Sequence, residues 1–128
     1  MDDIDKKILD ELQKNSSIPL SQLAKRVGLS STPCWNRIKR LEEDKIILSR
    51  SIILDNKKVN LPITIFLSIL IENHSEEWLQ NFTKVVNKYD EIVEVHRLTG
   101  SDSDYQIKIL SPSIEEYDNF QQKLIKEI

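Results

Sequence analysis

Apolar residues at Ile4, Ile8, Leu9 and Leu12 recur at helical spacing until the polar run Asn15-Ser16-Ser17 ends the pattern. The spacing predicts a first helix over residues 4–14. A shorter stripe of Ile18, Leu20, Leu23, Ala24 and Val27 starts behind Pro19 and stops at Gly28, the position expected for a left-handed helix stop. Ser30 then stands where a third helix would be capped, and Pro33 is tolerable in its first turn because the N–H groups there have no intrahelical acceptor. This helix is expected to run to Asp44. The stretch IILSRSIILD, residues 46–55, is rich in β-branched residues and predicts a strand pair, or a strand leading out of a small helical domain.

From residue 63 the period changes. ITIFLSILI puts Ile63, Ile65, Leu67, Ile69 and Ile71 on one face of a strand, and Thr64, Phe66, Ser68 and Leu70 on the other. The second face is half apolar, so it also needs cover. Trp78, Leu79, Phe82, Val85, Val86 and Tyr89 form a helical stripe; IVEVHRL and DYQIKIL are strands joined by the turn TGSDS; Ile114, Tyr117, Phe120, Leu124 and Ile128 form a last helix. The order β-α-β-β-α is one strand short of the ferredoxin-like unit β-α-β-β-α-β. The expected fold class is therefore α+β. An N-terminal helix-turn-helix, winged-helix-like domain spans residues 1–50, a linker strand 51–62, and a ferredoxin-like βαββα(β) domain 63–128, its last strand absent.

Composition narrows the function. A chain of 128 residues with 30% charged content can bury one ordinary core or two small ones. No apolar run approaches the roughly 20 residues of a membrane-spanning helix, and the start MDDIDKK is acidic, unlike a signal peptide. A cytoplasmic protein with no membrane partner is expected. The single cysteine, Cys34, excludes an internal disulfide and a cysteine-cluster metal site. With two glycines there is no glycine-rich phosphate loop, and neither a cofactor nor a metal is expected. The net charge of -3 conceals an asymmetry: residues 1–50 hold ten Lys/Arg against eight Asp/Glu, whereas residues 51–128 hold eight against thirteen. Within the first half the acids gather before Gln13 and the bases after Ala24. A basic patch on an acidic protein suggests a local polyanion site.

The third helix carries that patch. At about 100° per residue from Thr32, the residues Cys34, Ile38 and Leu41 fall near 200°, 240° and 180°, whereas Trp35, Asn36 and Lys39 fall near 300°, 40° and 340°. One face is core and the opposed face is not. The opposed face bears types that touch base edges: Asn for adenine, Lys for guanine or phosphate, Thr and Trp for the thymine methyl and sugars. Arg37 and Arg40 lie on the flanks, where phosphates run beside a helix in the major groove. The short preceding helix, small at Ala24 and turning at Gly28, completes a helix-turn-helix pattern. The expected DNA-binding residues are Ser31, Thr32, Trp35, Asn36, Arg37, Lys39 and Arg40.

An enzyme would have to use His74, His96, Cys34 or the pair Asp102 and Asp104. The histidines stand alone, Cys34 sits on the core stripe, and no triad, HExxH motif or nucleotide fingerprint accompanies them. Two aspartates in a turn are ordinarily turn formers.

The stretch IDKKILDELQKNSSIPLSQLAKRVGLSSTPCWNRIKRLEEDKII resembles the N-terminal helix-turn-helix of the Lrp/AsnC family of leucine-responsive and feast/famine regulators. The motifs LAKRVGLS, TPCWNRIKRLE and the later LTG and DYQIK carry the resemblance, which extends over essentially the whole chain. It implies a sequence-specific transcription regulator binding double-stranded DNA, homodimeric through its C-terminal sheets, often as an octamer, and responsive to a free amino acid. It also implies effector-binding residues Thr99, Gly100, Asp102 and Asp104 in the turn GSDSDY, which is one residue longer than the family's usual form. An amino-acid-sensing module with little or no DNA binding is the alternative.

Overall fold

The computed structural model describes residues 1–128, which divide into two compact units, Met1–Ile52 and Ile53–Ile128. No helix is long and apolar enough to cross a membrane.

The first unit holds α1 (Asp3–Lys14), α2 (Leu20–Val27) and α3 (Ser31–Glu43). Local chemistry sets each boundary. At the start of α1, the Asp2 carboxylate accepts from the Asp5 N–H at 2.9 Å while the Asp5 carboxylate takes the Asp2 N–H at 3.4 Å, a reciprocal capping box. Asn15 ends α1 in extended backbone and its side chain accepts from the Ser17 N–H at 3.0 Å. Gly28 stops α2 at φ 76°, a conformation that favours glycine, and this lets the Leu29 N–H reach the Ala24 carbonyl at 2.9 Å. Ser30 occupies the N-cap position of α3, although its side chain makes no capping hydrogen bond. The three helices enclose Ile8, Leu23, Ala24, Val27, Cys34, Ile38 and Leu41, with Ile4, Leu12 and Leu29 packed around them. Ala24 is 2% exposed, so a larger side chain there would overpack the crossing of the short helix.

The expected strands after α3 do not form. Residues 44–62 contain turns and irregular backbone only, so the predicted linker strand over residues 51–62 and the strand pair in IILSRSIILD are both corrected. Leu48, Ile52 and Leu54 are exposed, and Ile53 is 100% exposed. β-branched composition favours a strand only where a neighbouring strand supplies ladder hydrogen bonds and side-chain packing, and no strand of this chain pairs with the segment. A turn follows instead, closed by Asn56 Nδ2 donating to the Leu61 carbonyl at 2.9 Å.

The second unit holds β1 (Ile63–Ile69), α4 (Glu76–Lys88), β2 (Ile92–Arg97), β3 (Tyr105–Ser111) and α5 (Ile114–Glu127), the order the periodicity predicts. The antiparallel sheet has the order β1-β3-β2, with Ile65 opposite Ile109 and Leu67 opposite Ile107, and a bulge in β2 between Ile92 and Glu94. This register aims Ile107 and Ile109 at Phe82 and Val85 of α4 and at Phe120 and Leu124 of α5, forming one core on one face. Ser75 and Ser113 cap the two helices, each accepting an N–H at 3.1 Å. The two helices are tied by Glu127, whose carboxylate accepts from the Tyr89 hydroxyl and from Lys88 Nζ at 3.0 Å.

The other face of the sheet is open. It carries Thr64, Phe66 and Ser68 of β1, with Leu70 just beyond; Gln106, Lys108 and Leu110 of β3; and Glu94 and His96 of β2. Phe66 is 58% and Leu70 70% exposed. The half-apolar second face that the alternation predicts is therefore present and uncovered within the chain.

Candidate functional site

Helix α3 is amphipathic in the sense its sequence predicts. Cys34, Ile38 and Leu41 are buried, and Ser31, Thr32, Trp35, Asn36, Lys39 and Arg40 are all exposed. Cys34 is fully covered and burial pushes its thiol up, so it serves as a small core residue. Trp35, 49% exposed, lies beneath the Lys39 ammonium, which sits 5.3 Å from its ring centroid. This contact holds a flexible cation close to the outer surface of the helix. Lys39 and Arg40 make no ion pair within the chain and are free to meet an anion.

Arg37 is placed differently from the other candidates. Its Nη1 lies 2.7 Å from both carboxylate oxygens of Asp2 and 3.0 Å from Asp5 Oδ1, and its side chain is 24% exposed. The sequence puts Arg37 on a flank of α3 but is silent on its partners, which come from the first turn of α1. The hydrogen bond from Arg37 brings the Asp2 carboxyl down to about 2, helped by the Asp5 backbone N–H. The same aspartates hold the Arg37 guanidinium above its ordinary value. Asp2 and Asp5 are thus residues of the site that sequence reasoning missed. Their spacing of three, which makes the capping box, was the one local signal available.

The four candidate effector residues come together in the connection between β2 and β3. Gly100 adopts φ 76°, and a Cβ there would meet nothing within 4 Å, so glycine is required by backbone conformation and not by crowding. Thr99, Gly100 and Asp102 are exposed, whereas Asp104 is largely engaged. Its N–H donates to the Ile69 carbonyl at 2.8 Å, its carbonyl accepts from the Leu98 N–H at 2.8 Å, and its Oδ2 accepts from the Ile71 N–H at 2.7 Å. The remaining oxygen faces His74 Nε2 at 3.6 Å. Asp104 therefore fastens the end of β1 to the turn, which is why the strand stops at Ile69 rather than at Ile71.

Three stacked helices with a cationic outer face, joined in sequence to a half-open βαββα sheet, define a two-part DNA-binding regulator. Residues 1–47 match the winged helix-turn-helix DNA-binding family, and residues 64–128 match the Lrp/AsnC ligand binding domain. The chain is 42% identical over 128 residues to the glutamate uptake regulatory protein of Zymomonas mobilis, covering 100% of this chain and 77% of that one. It is 36% identical over 128 residues to the DNA-binding transcriptional activator DecR of Escherichia coli, covering 100% and 84%. Among solved structures, an AsnC family transcriptional regulator from Agrobacterium tumefaciens superposes with a TM-score of 0.89 at 46% identity, covering 100% of this chain and 83% of that one. A transcriptional regulator from Neisseria meningitidis in complex with L-Met superposes with a TM-score of 0.84 at 30% identity, covering 94% and 77%. The chain belongs to the Lrp/AsnC family of DNA-binding transcriptional regulators.

Proposed function

We propose that α3 enters the major groove of double-stranded DNA, with Asn36 and Thr32 meeting base edges, Trp35 meeting bases or sugars, and Ser31, Lys39 and Arg40 meeting phosphates. The observation that carries this reading is the division of α3 into a buried face of Cys34, Ile38 and Leu41 and an exposed face on which Lys39 and Arg40 have no internal carboxylate partner. A cation with no carboxylate partner breaks no ion pair by moving to a phosphate and gains from the release of counterions.

The protein acts as a homodimer, closed by apposition of two open sheet faces at Phe66 and Leu70. A free amino acid binds at the turn of Thr99, Gly100 and Asp102, where exposed N–H groups suit its carboxylate and Asp102 suits its ammonium. The complex of the Neisseria regulator with L-Met supports an amino acid as the ligand class. Asp104 contributes by holding the turn against the end of β1.

The test is a salt titration of DNA affinity with variants of α3. Lys39→Ala and Arg40→Ala should each weaken binding to all duplexes and reduce the slope of log affinity against log salt by about 0.9. Asn36→Ala should leave the slope alone and cost about 1 to 3 kcal/mol at particular base pairs. Equal affinity in all three variants and the parent would overturn the assignment and favour an amino-acid-sensing module.

A further inference from the structure

We infer that Arg37 is a positioning residue, which fixes the recognition helix α3 against the first turn of α1 and makes no phosphate contact of its own. This inference rests on the DNA-binding reading of α3.

The geometry is a bridge between two helices. Nη1 of Arg37 reaches both oxygens of Asp2 at 2.7 Å and Oδ1 of Asp5 at 3.0 Å. Asp2 and Asp5 are also the two halves of the capping box that begins α1. The cation on α3 is thereby attached to the backbone of α1 through carboxylates that are themselves locally held. Asp5 is 7% exposed, so its carboxylate has little water around it, and Arg37 is the cation within hydrogen-bond distance. Swinging the guanidinium out to a phosphate would break three charge-assisted contacts and leave that buried carboxylate without a cation.

Lys39 and Arg40 face no such conflict. They are exposed and without ion pairs, so they can supply the phosphate contacts while Arg37 stays in place. Arg37 is the immediate neighbour of Asn36 and lies two residues before Lys39 on the same helix. Any tilt or rotation of α3 released by loss of the bridge would displace both from their targets. The bridge acts on discrimination between DNA sequences rather than on general attraction to DNA.

The experiment compares a selected duplex with a random one, at several salt concentrations, using the full chain. Asp2→Asn keeps an effective N-cap residue and removes only the charge, and Arg37→Gln removes the cation. Each should lower the ratio of selected to random affinity by about two- to fivefold, the range of a partly exposed ion pair. The double variant should be no worse than Arg37→Gln alone, because both changes break the same bridge. The salt slope should stay at the parent value in all three, in contrast to Lys39→Ala. Should Arg37→Gln fail to fold, Asp2→Asn decides by itself: lower discrimination supports the bridge, and unchanged or stronger DNA binding overturns it. A reduced salt slope in Arg37→Gln would equally overturn it. A parent protein that prefers no DNA sequence would instead overturn the DNA-binding reading and this inference with it, a result distinct from the others.

Discussion

Replacing Phe66 by alanine should dissociate the proposed dimer while leaving each protomer folded. The ring is 58% exposed on the open face of β1. A phenylalanine can bury about 150 to 250 Å², so about 120 Å² of this side chain remains for a partner to cover. At about 25 cal/mol per Å² that area is worth about 3 kcal/mol, and about 2 after allowance for the β-carbon that alanine keeps. A two-fold interface contains the position twice, so the dimer should weaken by about 4 kcal/mol, on the order of a thousandfold in dissociation constant. Sedimentation equilibrium across a wide concentration range measures this directly. Ile114→Ala is the control, since Ile114 is 57% exposed but begins α5 on the helical side of the domain. It should leave the mass unchanged. Far-ultraviolet circular dichroism should match the parent in both variants. A parent that sediments as a monomer, or Phe66→Ala and Leu70→Ala variants that associate as the parent does, would refute the open-face interface.

Acid should loosen the three-helix unit over a defined range. The Asp2 carboxyl is depressed in the folded chain to about 2, so its stabilising effect is complete above its ordinary range near 3.8 and is lost as the pH falls toward 2. Helical signal followed through that range should show a smaller acid-induced loss of stability in Asp2→Asn than in the parent; identical profiles would contradict the bridge to Arg37. Cys34, fully buried and with its thiol pushed up, should react with a thiol reagent only in denaturant, and rapid labelling of the native protein would contradict its place in the core. Asp104→Asn keeps an oxygen for the Ile71 N–H and loses the charge, whereas Asp104→Ala loses both. Calorimetry with amino acids should find the response abolished by alanine and largely kept by asparagine, if the residue acts by holding the turn.

Much of the fold was legible because it rests on local periodicity. The stripe from Ile18 to Val27, with its stop at Gly28, gave α2 nearly to the residue, and the alternation from Ile63 to Ile71 gave β1, two residues too long, and the existence of its open face. The division of α3 was equally visible, since 3.6 residues per turn is enough to separate Cys34 and Ile38 from Asn36 and Lys39. Partnerships across long stretches of chain were not visible. Arg37 meets Asp2 across 35 residues, and its position on α3 gives no sign that the start of α1 lies beside it. The family resemblance marked Asp104 as an effector residue, and nothing local in the sequence showed that the Ile71 N–H, 33 residues away, would take one of its oxygens. The segment from Ile46 to Leu54 has strand composition, but strand formation needs a partner that composition cannot supply.

Selection of random double-stranded oligonucleotides by the purified full chain, repeated with each amino acid present, tests the central claim most directly. The account predicts enrichment of near-palindromic sites, their half-sites one helical turn or a multiple apart, with at least one amino acid changing the enrichment. A pool that emerges as random as it entered, under every condition, would contradict it.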